Sequence, residues 1–221
     1  MSWVAWALGN WALLEVLEYL GAFSVLIAVI FYFSESGNRQ KQRHYQAWQV
    51  INTAQGKGGS GGRIDALQEL NEDHISLVGV DASSAFLQGI QLKDANLSRC
   101  DLHASDLRNS NLTDSLFSFC NMNDVNLRGA TLSGAKMDNV TLRGGDLNGA
   151  NLQDVALSGS DLDEVDLRGA NLQDLHWQGI SSIRLANLAG AKNAPPDFLK
   201  FASEHGAVSI ESDDQWENLM K

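Results

Sequence analysis

A period of five residues governs this sequence from Ile75 to residue 179. When Leu77 is taken as the centre of the first unit, all 21 centres are apolar, and the residue two places before each centre is small or aliphatic. These 42 positions hold none of the 21 charged residues of the stretch, although random placement would put about eight there. Two inward positions in every five are therefore predicted along 105 residues.

Neither a regular helix nor a regular strand satisfies this period. In an α-helix, residues five apart lie about 140° from each other, so the leucines would scatter around the axis. In a strand, successive centres would point to opposite faces. A chain that turns a corner in every unit satisfies the pattern, and four such sides make a square coil.

Centres one coil apart are expected to stack into ladders that form the core. One predicted ladder comprises Leu87, Leu107, Leu127, Leu147 and Leu167. Burial of each leucine is worth about 1.5–3 kcal/mol. The other inward position lies at the corner and must stay small. Cys100 and Cys120 occupy it, so we interpret both as small core residues and expect neither a disulfide nor a metal site.

Several units resemble the A(D/N)LXX consensus of the pentapeptide-repeat family. Examples are Ala-Asn-Leu-Ser at 95–98, Ala-Thr-Leu-Ser at 130–133 and Ala-Asn-Leu-Gln at 150–153. The resemblance covers residues 75–179 and implies an all-β solenoid, a right-handed quadrilateral β-helix about five coils tall. One added residue breaks the phase after Trp177.

The flanking segments predict four parts in the chain. These are an N-terminal transmembrane or interfacial helix at 1–34, a helical linker with a glycine-rich hinge and an N-terminal cap at 35–74, the β-helix at 75–192, and a C-terminal helical cap at 193–221. The hinge is Gly-Lys-Gly-Gly-Ser-Gly-Gly at 56–62, a flexible composition. The caps are expected because the end units of a solenoid need a cover with a polar outer face.

The stretch from Leu13 to Phe33 is long and apolar enough for a single membrane span. No lysine or arginine precedes it, whereas Arg39, Lys41 and Arg43 follow it. This charge bias predicts an inner (cytoplasmic) membrane protein with its amino terminus outside and its solenoid in the cytoplasm.

Two glutamates, Glu15 and Glu18, lie near the start of this apolar stretch. They are compatible with an outer-interface position, or with a contact to another helix inside the bilayer. Gly21 and Ala28 share one side of the helix with Glu18, and small residues let a second helix approach closely. We therefore predict that these four residues contact another helix.

The sequence favours an interaction protein over an enzyme. A filled solenoid offers no pocket for catalysis, and we expect no cofactor or metal. The net charge of −11 argues against a nucleic-acid ligand. On the outside of the predicted coil, Leu116 and Phe119 lie on a weakly charged face and are candidates for partner contact.

Three functions remain open from the sequence. The first is a membrane-anchored, non-enzymatic scaffold or accessory subunit that presents its cytoplasmic β-helix to a protein partner, especially one in a membrane complex. The family resemblance implies a second, because some soluble relatives mimic DNA and inhibit a topoisomerase. The third is a self-associating membrane scaffold, in which the chain forms a homo-oligomer.

Overall fold

The computed structural model describes residues 2–53 and 60–221, so most of the predicted hinge at 56–62 lies outside the described residues. The described residues form four helices: α1 Ser2–Thr53, α2 Arg63–Glu72, α3 Pro196–Glu204 and α4 Asp213–Met220. The chain divides into two compact units, Met1–Gln46 and Ala47–Lys221. Most of α1 belongs to the first unit, and the repeats, the other three helices and the last residues of α1 belong to the second.

The first unit consists of helix α1, which continues through the predicted boundary between residues 34 and 35. Side chains from residue 17 to residue 32 are exposed and mostly apolar. By length and composition alone, one helix in the described part of the chain is suited to cross a membrane. That helix is α1, and its candidate stretch begins at Leu17.

Each repeat unit ends in a tight turn. In the first unit, the Val80 N–H donates a hydrogen bond to the Leu77 carbonyl at 3.1 Å, and Gly79 between them has a φ of 74°. All 21 units from Leu77 to Trp177 have positive φ at the second residue after the centre. Glycine, asparagine and aspartate tolerate this left-handed conformation best, which explains why they are frequent there.

Successive coils are joined by single parallel bridges that recur once in every unit after the first. The residue before each centre bridges to its counterpart one coil later, from Asp81 with Asp101 to Ala156 with His176. The predicted coil is therefore present, but the described residues contain isolated bridges and no extended strand. The reason is geometric. Most of the five residues of each unit form the turn, so the straight part between two turns is too short to be an extended strand.

Four units complete one coil, and the solenoid consequently has four faces. Face 1 comprises the units centred on Leu77, Leu97, Phe117, Met137, Leu157 and Trp177, and faces 2, 3 and 4 begin with the units centred on Ala82, Leu87 and Leu92. The predicted ladder from Leu87 to Leu167 lies inside face 3, and each of its five leucines is at most 1% exposed. Tight packing also surrounds the small corner position. A Cβ at Gly145 would lie 2.9 Å from the Leu142 carbonyl oxygen.

The register of the stack changes once. Ala156 bridges to His176, which keeps the regular spacing of one coil. Asp161 bridges to Ser182 and Asp166 to Asn187, and each of these partners lies one position further along the chain than the regular spacing requires. The prediction of one added residue after Trp177 is therefore confirmed.

Helices close both ends of the repeat region. At the first coil, Leu67 and Leu70 of α2 are buried in the core, and the Gln68 Oε1 accepts the Gln91 N–H at 2.9 Å. At the last coil, Phe198 of α3 is fully buried, and its ring centroid lies 5.9 Å from that of Trp177. Apolar ladders that would otherwise face water at the two ends are thus covered.

The cysteine prediction needs a correction. Cys100 and Cys120 do occupy the core, each 2% exposed, but they are paired as a disulfide. They are separated by one full coil, which places the same corner position of adjacent coils side by side with a Cα–Cα distance of 4.6 Å. Disulfides commonly span such a distance.

Candidate partner-binding surfaces

The solenoid interior is filled by side chains and does not form a pocket for substrates. Core residues on all four faces, such as Leu112, Phe117, Met122 and Leu127, are completely buried. Among the described residues, no group of histidine, cysteine, aspartate or glutamate side chains is arranged to hold a metal ion. Function must therefore be sought on the outer faces and on α1.

Face 3 is a ladder of paired charges. Arg108 donates from Nε and Nη2 to the Asp106 carboxylate at 2.8 and 2.6 Å, and Arg168 is held in the same way by Asp166. The hydrogen bonds from Arg108 lower the pKa of Asp106 against the opposing effect of burial. Because its charges neutralise each other, this face offers little to a charged partner.

Helix α4 lies beside face 3. Its Trp216 is 8% exposed, and the indole Nε1–H donates to the Leu185 carbonyl at 2.8 Å. The Arg168 guanidinium lies over the indole ring, 5.4 Å from the ring centroid, and also pairs with Asp213. The tail of the chain thereby covers part of the charge ladder.

Face 1 carries few charges and exposes large apolar side chains. Of the 21 charged residues in 75–179, only Arg99, Lys136 and Asp138 project from this face. Phe119 is 61% exposed, and Leu116 in the same repeat unit is half-buried. The structure thus places the two predicted contact residues together on the outer surface.

Phe119 also has an unfavourable backbone conformation. Its φ of 65° lies in the left-handed region, which costs most residues about 1–2 kcal/mol. It is the only aromatic residue at this turn position among the 21 units. The turn imposes this conformation in all 21 units, and an exposed ring gains little inside the protein to offset its cost. An aromatic side chain at this position is therefore a candidate for partner contact.

Sequence reasoning missed two cations beside this apolar pair. Arg99 precedes Phe119 by one coil at the same turn position, and Lys136 follows Leu116 by one coil as its bridge partner. Both side chains are exposed. The signal was present in the sequence, because a coil of four units assigns every charged residue to one face.

The predicted helix-contact residues lie on α1 in the other unit. Glu15, Glu18, Gly21 and Ala28 are all exposed on this helix. A Cβ at Gly21 would meet no atom within 4 Å, so the backbone is open at this point. These positions are compatible with the predicted contact to a second helix, which stays a prediction.

Comparison with known proteins identifies the repeats. The family model for pentapeptide repeats matches residues 75–114, 110–149 and 135–174. No curated protein matches the sequence.

Several solved structures contain similar repeats. A pentapeptide repeat protein of the Arabidopsis thaliana thylakoid lumen is 19% identical, with a TM-score of 0.43 over 62% of this chain and 81% of that one. HetL from the cyanobacterium Nostoc, a protein involved in heterocyst differentiation regulation, is 25% identical, with a TM-score of 0.41 over 61% and 57%. The fluoroquinolone resistance protein QnrB1 is 18% identical, with a TM-score of 0.30 over 59% and 82%.

These structural similarities are too low to carry a functional argument, and the family assignment depends on the repeats themselves. Proteins of this family are in general structural or interaction proteins and form right-handed β-helices. The bridges between successive coils run through the residues that the family model matches and continue beyond them to Lys192 and Val208. The chain is a pentapeptide-repeat protein.

Proposed function

We propose that this protein is a non-enzymatic scaffold or accessory subunit that is anchored in the inner membrane by α1. Its solenoid lies in the cytoplasm and binds a protein partner, which we expect to be part of a membrane complex. The observation that carries the proposal is the pair of apolar side chains on face 1, because Phe119 is both strained and exposed. A filled solenoid with such a surface is suited to binding and not to catalysis.

The proposed anchor is supported by the composition around α1. Residues 17–32 present mostly apolar side chains outward, and a helix of this kind can span a bilayer. Arg39, Lys41 and Arg43 follow the apolar stretch, and no lysine or arginine precedes it. By the positive-inside rule this bias favours a cytoplasmic solenoid.

The proposed contact with a membrane partner is made by the stripe on α1. Glu18, Gly21 and Ala28 recur at spacings that keep them on one side of a helix. Small residues permit close helix packing, and a glutamate in the apolar phase needs a polar partner.

The test is gentle detergent extraction of the tagged full-length protein from its own cells, followed by native mass measurement. We expect a stoichiometric membrane protein to co-purify and to be lost in the variants Gly21→Ile and Ala28→Ile. The matched control is Ala22→Ile, which adds the same bulk as Ala28→Ile to an exposed position on another side of α1. A bare monomer in mild detergent would contradict the accessory-subunit proposal, and a homo-oligomer would favour the self-associating scaffold.

A topoisomerase inhibitor is the second candidate, which the family resemblance implies because some soluble relatives mimic DNA and inhibit a topoisomerase. The charge of the solenoid argues against it. Residues 75–179 carry 14 acids and 7 bases, a net charge of −7, and face 3 is neutralised by its arginines. A DNA duplex of the same height, about five coils or 25 Å, carries roughly 14 charges. Inhibition of DNA gyrase supercoiling by the full-length protein at stoichiometric concentration would make this the better proposal.

A further inference from the structure

We propose that Arg99, Leu116, Phe119 and Lys136 form a docking site for an acidic segment of the partner protein that also carries an apolar side chain. This site is called the face 1 patch below. The inference depends on the proposed function for the existence of a protein partner, and it adds the chemistry by which that partner is recognised.

Ion pairing distinguishes two basic side chains of the repeats from the others. Residues 75–179, all of which the structure describes, contain seven basic side chains. Five of them form ion pairs with neighbouring carboxylates: Lys93, Arg108, Arg128, Arg143 and Arg168. Arg99 and Lys136 make no ion pair with a described residue, and both belong to the face 1 patch. In an acidic solenoid, cations without a carboxylate partner are available to an acidic ligand.

The four residues of the face 1 patch lie on three successive coils. Leu116 and Phe119 belong to one repeat unit, Arg99 lies one coil before it, and Lys136 lies one coil after it. With about 4.8 Å between coils, the two cations are separated by roughly 10 Å along the solenoid. An apolar centre between two positive charges matches a short segment that has carboxylates on both sides of a hydrophobic residue.

Face 1 also differs from the other faces in net charge. Face 1 carries two bases and one acid between residues 75 and 179, a net charge of +1, and the other three faces together carry 5 bases and 13 acids, a net charge of −8. Face 1 is therefore the place on the repeats where an acidic segment is attracted and not repelled. Aromatic and arginine side chains are also the residue types that most often dominate binding energy at interfaces.

An anionic membrane surface is the rival occupant, and the charge count disfavours it. Lipid-binding segments collect about four to eight basic residues, whereas this patch has two. Anionic lipids would also repel the other three faces, which carry a net charge of −8. Protein carboxylates, which need only one cation each, fit the patch better.

The experiment uses full-length protein in detergent micelles and a fluorescent synthetic peptide in which phenylalanine alternates with pairs of glutamate. Two control peptides replace glutamate by lysine or phenylalanine by serine. In fluorescence anisotropy, we expect the acidic aromatic peptide to bind at least about tenfold more tightly than either control peptide. We expect the double variant Arg99→Glu with Lys136→Glu to lose at least about tenfold in affinity.

A matched control separates local contact from overall charge. The double variant Lys93→Glu with Lys192→Glu changes the net charge by the same amount at two exposed positions of face 4, and it should bind like the unaltered protein. Phe119→Ser should weaken binding without any change of charge. Thermal unfolding of each variant verifies that the solenoid is still folded.

Two results would overturn the proposal. One is an affinity that is equal for the acidic and the control peptides, or an affinity for the acidic peptide that the face 1 and the face 4 double variants lower equally. The other is binding of the protein to phosphatidylserine vesicles through Arg99 and Lys136 with no binding of the acidic peptide, which would assign the patch to a membrane surface. If a membrane protein still co-purifies in either case, the proposed function survives and the acidic class of partner does not.

Discussion

Asp163 and Arg184 form an ion pair at the point where the stack gains one residue, with 2.6 Å between the Arg184 Nη2 and the Asp163 Oδ2. Asp163 occupies an outward repeat position, yet it is only 2% exposed. Its Oδ1 accepts the backbone N–H of Arg184 at 2.8 Å and the hydroxyl hydrogen of Ser182. The carboxylate thus accepts hydrogen bonds from the next coil, as the Asn123 Oδ1 accepts the Arg143 N–H at 3.1 Å in the regular part of the stack.

Replacement of Asp163 by alanine should destabilise the solenoid. It would leave a backbone N–H and a hydroxyl without their acceptor, which costs about 2 kcal/mol and lowers the unfolding temperature by roughly 4–8 °C. Asp138→Ala is the matched control, because Asp138 occupies the same repeat position and its side chain makes no hydrogen bond with a described residue. Equal unfolding temperatures for the two variants would contradict this role of Asp163.

Acid should weaken the same contact. Burial acts to raise the pKa of Asp163, but the hydrogen bonds from Arg184 and Ser182 outweigh it and lower that pKa below its ordinary value. A lowered pKa in the folded state stabilises the protein above the pKa of the unfolded chain, about 3.9, and this stabilisation is lost as the pH falls through the folded pKa. The unfolding temperature should therefore decrease as the pH is lowered below about 4. In the Asp163→Asn variant, the decrease between pH 6 and these acidic values should be smaller. A profile identical to that of the unaltered protein would contradict the prediction.

The core of the solenoid could be predicted from the sequence because its period is short and repeated many times. Burial of Leu107 or Leu147 follows from the spacing alone, since no regular helix or strand keeps residues five apart on one side. The added residue after Trp177 was visible for the same reason. Each unit repeats the evidence of the one before it, so local ambiguity is averaged out.

The surface was harder to predict, because it depends on relations between coils and not within units. The buried disulfide was also missed. A coil of four units already places Cys100 and Cys120 at the same corner of adjacent coils, but we interpreted both only as small core residues. The burial of Asp163 at an outward position arises from its contacts with Ser182 and Arg184 in the next coil. Arg99 and Lys136 could be recognised as available cations only from the structure, in which neither forms an ion pair with a described residue.

The corner position, two residues before each centre, should not accommodate a large side chain. Ala130 is fully buried, and its N–H donates to the Leu127 carbonyl at 2.9 Å. Ala130→Trp would insert a large ring between coils, and overpacking of a well-packed core typically costs about 1–3 kcal/mol or more. Arg128→Ala removes an exposed ion pair with Asp146 of 3.3 Å, worth at most about 1 kcal/mol. In thermal unfolding, the unfolding temperature of Ala130→Trp should be well below that of Arg128→Ala. Equal unfolding temperatures would contradict the assigned register.

Phe119→Asn should stabilise the protein and weaken partner binding. Asparagine tolerates the left-handed conformation that φ of 65° imposes at this position. The relief of about 1 kcal/mol would raise the unfolding temperature by roughly 2–4 °C. Loss of the ring would at the same time reduce binding of the acidic aromatic peptide. A variant with lower stability than the unaltered protein would show that the ring supports the fold and would remove the argument from strain.

The state of the cysteines tests the proposed orientation. Disulfides are rare in the cytoplasm, whereas the proposed orientation, which is based on the basic residues that follow the apolar stretch of α1, puts the solenoid there. We therefore expect Cys100 and Cys120 to be thiols in the cell and to form their disulfide only when the purified protein is oxidised.

To measure this, cells are quenched in acid, the protein is denatured, and free thiols are labelled with a maleimide polymer that shifts the band on a gel. Two labels per chain would support a cytoplasmic solenoid. An unlabelled chain that gains two labels after reduction would place the solenoid in an oxidising compartment, with the amino terminus on the cytoplasmic side. A cysteine-free variant with Cys100→Ala and Cys120→Ala serves as the control for labelling.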